Sequence, residues 1–381
     1  GVRKMARISN CAMIKNMDRE KLREKLIEAL KEQGCVEQAL KDKETYKKMQ
    51  EKAKIEQLHL HVKFLKGATK KVAQYMRNGK NIRVEDIDIE LREVKSGTIE
   101  ETIYKWWNLV WWSIPYQHSY GRQMRFLLWD KTHDAPFGLI CLQSPVLKMS
   151  VRDEYLEIPK EELDYWVNKS MNAHRVGALP PYNELLGGKM VALALASNEI
   201  REAYRRKYEN CKTLIKQRDL GNDLLFITTT SAFGKSSIYN RLKYNDELVA
   251  ISLGYTKGYG TFHIPEALYE GLIELLKEEG LKTDRCFGNG PSRKLKLIAA
   301  GLRILGLEQY VNHGIKREFY LFPLIKNLKE VIKNGESPIW YDRPLSSLFE
   351  YWKRRWAVPR SNRIDRWKEF DKEAFLKGVE L

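Results

Sequence analysis

Hydroxyl-bearing residues gather in one short segment that follows a predicted buried strand. The strand LLFITTT (224–230) leads into SAFGKSSIYNRL, where a helix is predicted to begin. A helix N-terminus attracts anions because its backbone N–H groups are unpaired and its dipole is positive there. Four or more hydroxyls also exceed what one helix cap requires. We therefore predict a principal polar pocket lined by five side chains: Thr230, Ser236, Tyr239, Arg241 and Arg125.

The tetrapeptide GKSS at 234–237 does not indicate nucleotide hydrolysis. The P-loop pattern GxxxxGK[ST] requires glycine where Thr229 stands, and no acidic metal ligand follows a second strand. Two interpretations remain open for this segment. Its hydroxyls bind a phosphate oxygen, or Ser236 simply caps the helix.

A second loop, NELLGGK (183–189), carries two adjacent glycines before a long amphipathic helix predicted from about 188 to 208. Adjacent glycines let backbone N–H groups approach a pyrophosphate closely, and a tight turn is the alternative. The order of hairpin, glycine loop, helix, strand, helix and strand resembles the GNAT acetyltransferase fold, although the consensus [QR]xxGx[GA] is not present. This resemblance implies a CoA-like or other phosphorylated donor held by four residues: Asn183, Gly187, Gly188 and Lys189.

The charge balance favours a polyanionic partner. Lysine and arginine total 67 against 50 acidic residues, which gives a formal net charge of +17. Such an excess is typical of proteins that bind nucleic acid, and we expect DNA before RNA. Ion pairing of the arginines and docking of the tail tryptophans on the core are the alternatives. The predicted nucleic-acid contacts are Arg122, Arg125, Arg241, Tyr255, Lys257, Tyr259, Arg354 and Arg355.

Candidate proton-transfer groups are scattered along the chain. His118, His174 and His263 lie beside polar or glycine-bearing turns, and a lone histidine is more often a hydrogen-bonded structural group. We name Tyr239, His118 and His263 as the catalytic candidates of a transferase. The histidines do not cluster and no CxxC pair occurs, so no metal site is predicted.

The periodicity of the sequence predicts a mixed α/β protein. We expect a helical module over 1–95, a GNAT-like α/β core over 96–265, and a helical, basic extension over 266–381. Segments 123–129 and 137–143 should pair as an antiparallel hairpin. No apolar run approaches the roughly 20 residues of a membrane span, no signal peptide is recognised, and the five cysteines are widely spaced. We therefore expect a cytoplasmic protein without a membrane partner.

Eight blocks of the sequence resemble, in order, the DruA family of the Druantia anti-phage system. They are YGRQMRFLLWD, FGLICLQSPV, VRDEYLEI, RVGALPPYNELLGGKMVALALAS, LLFITTTSAFGKSSIYNRL, LGYTKGYGTFHIP, FGNGPSRKLKLI and HGIKREFYLFPL, within residues 97–325. Lys235 stands where the family has arginine, and VRDEYLEI lacks the glycine-tryptophan that follows the RD pair in the family.

This resemblance implies phage defence beside a large helicase-like partner and leaves the chemistry open. We expect a protein that binds nucleic acid within a defence complex. The alternative is a GNAT-like transferase that modifies a nucleobase or another substrate.

Overall fold

The structure is a computed structural model and describes residues 18–31, 43–119, 121–210, 221–232, 236–256, 262–284, 293–311 and 316–380. The chain forms two compact units. The first unit comprises residues 1–56, 113–115 and 257–316, and the second comprises 57–112, 116–256 and 317–381.

The described strands are β1 (Ile89–Glu93), β2 (Gln123–Asp130), β3 (Ala135–Gln143), β4 (Ser170–Ala178), β5 (Phe226–Thr230), β6 (Lys243–Tyr244), β7 (Glu247–Leu248), β8 (Ile251–Tyr255) and β9 (Glu318–Pro323).

The described α-helices are α1 (Arg19–Lys31), α2 (Lys43–Leu60), α3 (Val62–Ala73), α4 (Ile99–Val110), α5 (Ser150–Tyr155), α6 (Leu163–Val167), α7 (Gly187–Leu195), α8 (Asn198–Tyr208), α9 (Glu266–Glu278), α10 (Arg293–Ile304), α11 (Leu328–Asn334), α12 (Leu345–Trp352), α13 (Val358–Ser361) and α14 (Lys372–Val379). Among these residues, no helix has the length and apolar content that crossing a membrane requires.

The second unit is built on a seven-stranded sheet of order β1-β2-β3-β4-β5-β9-β8. The β4–β5 pair is parallel, and the other neighbouring pairs are antiparallel. β2 and β3 form the predicted hairpin, with Gln123 opposite Gln143. The prediction of a mixed α/β protein is therefore confirmed.

Both faces of this sheet carry helices. On one face, which we call the α7 face, residues of α7, α8 and α12 share a core with β2 to β5 and β9. On the opposite face, the α4 face, α3 and α4 pack on β2 and β3. Residues of α5, α6 and α11 pack on β5 and β9 of the same α4 face. Strand β4 lies between these two helical layers, in the centre of the sheet.

The first unit is helical where it is described. Leu22, Leu26 and Leu30 of α1 are buried, as their spacing predicts. The predicted N-cap Asp18 accepts a hydrogen bond from the backbone N–H of Lys21 at 2.9 Å. Within the same unit α9 and α10 pack closely, because residue 301 of α10 is glycine. A side chain at this position would collide with Leu272 of α9.

Two predicted helices differ in the structure. The helix expected over 188–208 is two helices, because Ser197 caps α8 by accepting a hydrogen bond from the backbone N–H of Ile200. The helix expected after β5 is a set of turns over 237–241, and 233–235 lie outside the described residues. Arg241 has a φ of +54°, which is incompatible with a continuing right-handed helix.

Candidate nucleic-acid interface

Three aromatic rings form a continuous row in the second unit. The ring centroids of Tyr244 and Tyr351 are 5.3 Å apart, and those of Tyr351 and Trp356 are 5.6 Å apart. All three side chains are partly exposed. Both contacts are edge-to-face, a favourable arrangement for aromatic pairs.

Three cationic side chains border this row. The Lys189 ammonium lies 5.5 Å from the centre of the Trp356 ring, and the Arg355 guanidinium lies 5.7 Å from it. Arg354 lies 5.9 Å from the Tyr351 ring centre. We call these six residues the basic–aromatic ridge: Lys189, Tyr244, Tyr351, Arg354, Arg355 and Trp356.

The positive charges of the ridge act on one another. Burial lowers the pKa of Lys189, and the neighbouring charge of Arg355 lowers it further. Arg354 and Arg355 are exposed, whereas Lys189 is partly buried. An anion bound here would be attracted by both Lys189 and Arg355 and would reduce the repulsion between them.

The tail that carries the arginines is docked on the core. Trp352 is fully buried and Trp367 is 6% exposed. Arg360 donates from Nε to the Glu184 carbonyl oxygen at 2.6 Å. The alternative of docked tail tryptophans therefore holds for Trp352 and Trp367, whereas Trp356 is partly exposed. The exposure of Arg354 and Arg355 is compatible with this docking.

The ridge and the predicted donor loop meet at the start of α7. Lys189 donates from Nζ to the Ser237 carbonyl oxygen at 3.0 Å, and a Cβ at Gly188 would lie 3.2 Å from Ile238. The loop after β4 and the segment after β5 come together because parallel strands end at the same edge of a sheet. The sequence named these two segments separately, and the structure makes them neighbours.

Packing accounts for the adjacent glycines of the donor loop. A Cβ at Gly187 would lie 2.6 Å from the Tyr182 carbonyl oxygen, so only glycine fits there. Asn183 Oδ1 is buried and has no hydrogen-bond partner among the described residues. Whether this loop holds a donor stays a prediction.

The residues of the predicted polar pocket lie in different surroundings. Tyr239 is 6% exposed and packs 5.1 Å from the Tyr320 ring, and burial raises its pKa to about 12. Ser236 Oγ accepts a hydrogen bond from the backbone N–H of Ile238, as a local turn residue does. Arg241 is exposed beside them.

Arg125 and Thr230 do not join that cluster. Arg125 lies on the α4 face and donates from Nη1 to Glu101 of α4 at 2.9 Å. Thr230 follows Thr229, whose hydroxyl donates to the Ala173 carbonyl oxygen on the α7 face. Successive strand residues face opposite sides, so Thr230 faces the α4 side. The structure therefore separates Arg125 and Thr230 from Tyr239.

Of the other predicted nucleic-acid contacts, Arg122 and Tyr255 lie among the described residues. Arg122 donates to the Tyr204 hydroxyl and, at 3.1 Å, to the Ser170 carbonyl oxygen. Tyr255 is 50% exposed at the end of β8. Lys257 and Tyr259 lie outside the described residues.

The two histidines named as catalytic candidates belong to different units. His118 of the second unit is exposed, and its ring lies 5.6 Å from that of Tyr116. His263 of the first unit pairs with Glu56, with 2.7 Å between Nε2 and Oε2. The described residues hold no group of three His, Cys, Asp or Glu side chains that could bind a metal ion.

Comparison with known proteins identifies the family. The family model described as Druantia protein DruA matches residues 40–334. The chain belongs to the DruA family. A Druantia protein DruA from Escherichia coli (strain UMEA 4076-1) is 31% identical over 381 residues, covering 96% of this chain and 94% of that protein. The resemblance of the eight sequence blocks is thereby confirmed, and this DruA family member is assigned to the Druantia defence system. No solved structure matches the chain.

The family match divides the ridge. Lys189 and Tyr244 lie within the residues that the DruA family model matches, whereas Tyr351, Arg354, Arg355 and Trp356 follow its end. Sequence reasoning missed Tyr244 and Tyr351 as site residues. Tyr351 lies within the basic, aromatic stretch 343–368, which is a signal that the sequence offered. Tyr244 joins the ridge only through the fold of the β6–β7 hairpin.

Proposed function

We propose that this DruA family member binds nucleic acid in Druantia defence, and that the basic–aromatic ridge is the contact surface. The observation that carries the proposal is the row of Tyr244, Tyr351 and Trp356 bordered by Lys189, Arg354 and Arg355. The formal net charge of +17 supports the same conclusion.

The two kinds of side chain in the ridge suit two parts of a nucleotide. Arginine and lysine neutralise phosphates and release counterions, which supplies affinity without sequence preference. Partly exposed aromatic rings stack on unpaired bases at about 1–3 kcal/mol per base. This combination favours single-stranded DNA, or DNA opened by a helicase-like partner of the same system, over an intact duplex.

The test is the salt dependence of binding to single-stranded DNA, measured by fluorescence anisotropy. We expect log affinity to fall linearly with log salt. In the double variant Arg354→Ala/Arg355→Ala, the magnitude of this slope should fall by about 1.4, because each of the two phosphate contacts contributes about 0.7 for a single strand.

The matched control is Lys70→Ala/Lys71→Ala, which removes the same charge from exposed positions of α3. It should leave the slope nearly unchanged. Affinity that does not vary with salt, or equal slopes for the two double variants, would contradict the proposal.

A transferase is the second candidate, and the order of elements around β4 favours it. The β2–β3 hairpin, the loop with Gly187 and Gly188, α7, α8 and β5 keep the first part of the order that suggested the GNAT resemblance, with β4 added before the loop and turns in place of the helix after β5. Ligands of α/β sheets bind at the carboxyl ends of parallel strands, and α7 begins at that end of β4. A CoA-like or other phosphorylated donor would then lie against Asn183 and Lys189.

This second candidate has a direct test. Native mass spectrometry of the purified protein should reveal a co-purified donor, and acyl-CoA should raise the melting temperature of the wild type. Lys189→Ala should abolish that shift. If no donor is found and acyl-CoA leaves the melting temperature unchanged, the transferase candidate fails while nucleic-acid binding at the ridge stands.

A further inference from the structure

Strand β4 is polar and partly open on the α4 face, although it is the central strand of the sheet. Asn172 and His174 are partly exposed, whereas the side chains of Met171 and Ala173 are buried in the α7-face core. A central strand between two helical layers is normally covered on both faces. β4 lies between the strands covered by α3 and α4 and those covered by α5, α6 and α11, and we call its partly exposed α4 face the cleft.

A β-bulge shapes the floor of this cleft. Leu142 of β3 is opposite Ala173, and the preceding residue Cys141 is opposite Arg175, so His174 is the extra residue. Bulges redirect side chains and are frequent beside functional sites. Arg175 donates from Nη1 to the Asn108 carbonyl oxygen at 2.8 Å, which directs its charge into α4 and away from the cleft.

The polar atoms of the cleft belong to neutral groups. The Thr228 hydroxyl donates to Asn172 Oδ1 at 3.3 Å, and Ser119 Oγ lies 3.3 Å from His174 Nε2. The other ring nitrogen, Nδ1 of His174, is buried and has no hydrogen-bond partner among the described residues. Burial, and then the charge of Arg175, lower the pKa of His174 to about 4, so the ring is neutral near pH 7.

Two aromatic side chains contact Arg175, the residue that follows His174. The Arg175 guanidinium lies 5.0 Å from the Trp112 ring centre and 5.8 Å from that of Tyr116. Gly177 leaves room for the indole of Trp112, because a Cβ at this position would lie 2.8 Å from the ring. The amide, hydroxyl and imidazole groups of the cleft match an uncharged ligand with hydrogen-bonding edges.

We propose that this cleft binds a single nucleobase, carried by a free nucleoside or by an unpaired nucleotide of a strand, through hydrogen bonds from Asn172 and His174. Among the described residues, the cleft offers no available cationic side chain to a phosphate or a carboxylate. A base has the donors and acceptors that a neutral imidazole and an amide can pair with. The cleft lies on the α4 face, whereas the ridge is formed by residues of α7, β6, α12 and the segment after α12, so the two sites are tested separately.

The experiment uses the full chain and two probes. The first is titration calorimetry with adenosine, guanosine, cytidine and thymidine, and the second is the fluorescence of 2-aminopurine within a single-stranded oligonucleotide. Binding of a nucleoside would show that the cleft binds a base without an attached strand. A change in 2-aminopurine fluorescence without nucleoside binding identifies an unpaired nucleotide of a strand.

His174→Ala and Asn172→Ala should each weaken the base-dependent signal roughly tenfold, as expected when a buried hydrogen-bond partner is lost. His174→Gln, which keeps a neutral donor and acceptor, should retain part of it. The control His59→Ala changes an exposed histidine of α2 and should leave the signal unchanged.

The outcomes separate this proposal from the function of the ridge. Arg354→Ala/Arg355→Ala should lower the salt-dependent affinity for a strand while nucleoside binding persists. The cleft proposal is overturned if the wild type binds no nucleoside and leaves 2-aminopurine unaffected. It is equally overturned if His174→Ala and Asn172→Ala, folded by circular dichroism, retain the full base-dependent signal. If either variant fails to fold, His174→Gln and the other variant decide.

Discussion

The indole nitrogen of Trp352 donates a hydrogen bond to the Leu186 carbonyl oxygen at 3.0 Å. Leu186 immediately precedes α7, and Trp352 is the last residue of α12. The same carbonyl oxygen accepts the backbone N–H of Lys189 at 3.1 Å. This one acceptor therefore joins the two chain segments that carry the cations of the ridge.

Trp352→Phe should destabilise the protein by about 2–4 kcal/mol. The change removes the hydrogen bond and leaves a void against Phe137 and Phe349, whose rings pack on the buried indole. Urea denaturation measures the loss. Trp166→Phe is the control, because that indole bonds to Glu162 at an exposed position and should cost under about 1 kcal/mol. Equal effects of the two variants would show that the Trp352 bond does not hold the tail.

The β6–β7 hairpin offers a stabilising substitution. Its two turn residues, Asn245 and Asp246, have φ of +48° and +65°, the signature of a type I′ turn. Asp246→Gly should raise stability by up to about 1 kcal/mol, because glycine adopts positive φ without strain. Differential scanning calorimetry measures the shift. Asp246→Ala retains the strain and should not stabilise, so a gain in both variants would point to charge removal instead.

Arg152 illustrates a buried charge whose role is structural. It is 1% exposed, and its guanidinium donates to Asp153 Oδ1 and to the carbonyl oxygens of Val146 and Leu147 at 2.7–2.8 Å. Arg152→Met should cost about 3–5 kcal/mol, because it leaves Asp153 and two carbonyl groups without this donor. Chemical denaturation measures the cost. The folded fraction should bind DNA with unchanged affinity, and selective loss of binding would assign Arg152 to the interface.

Local patterns predicted the parts of the fold that depend on neighbours in sequence. Two apolar runs, 123–129 and 137–143, joined by a polar segment predicted the hairpin, and Asp18 marked the start of α1. The break between α7 and α8 was missed, although Ser197 before Asn198-Glu199 is a recognisable capping signal.

The site depends more on contacts distant in sequence. Arg125 was predicted beside Tyr239, but its partner Glu101 lies on another element, and no local pattern encodes that pairing. The ridge likewise needs Tyr244 and Tyr351 to meet through the fold. Composition pointed to the tail arginines as candidate contacts, whereas tertiary packing decides which of them face solvent.

Stability should fall as the pH drops from about 6.5 to 4, partly because of His174. Its pKa is about 4 in the folded protein and 6.5 in the unfolded chain. Between these values the unfolded chain binds a proton that the folded state does not, so acid favours unfolding by up to about 3 kcal/mol. Urea denaturation across this range checks the slope. His174→Gln should show a shallower dependence, and an unchanged slope would contradict the burial of a neutral imidazole.

Arg241 and Arg125, which were predicted to line one pocket, should respond differently to substitution by alanine. Arg241 is exposed in the turn before β6, the strand that carries Tyr244 of the ridge, whereas Arg125 is 19% exposed and bound to Glu101. Arg241→Ala should weaken single-stranded DNA binding and lower the magnitude of its salt slope by about 0.7, with stability nearly unchanged. Arg125→Ala should leave that slope unchanged and cost about 0.5–1 kcal/mol, the range of a partly exposed ion pair. Fluorescence anisotropy at several salt concentrations, with thermal denaturation of both variants, measures the two effects. If Arg125→Ala alone lowers the slope, nucleic acid contacts the α4 face, and the assignment of the ridge as the contact surface is wrong.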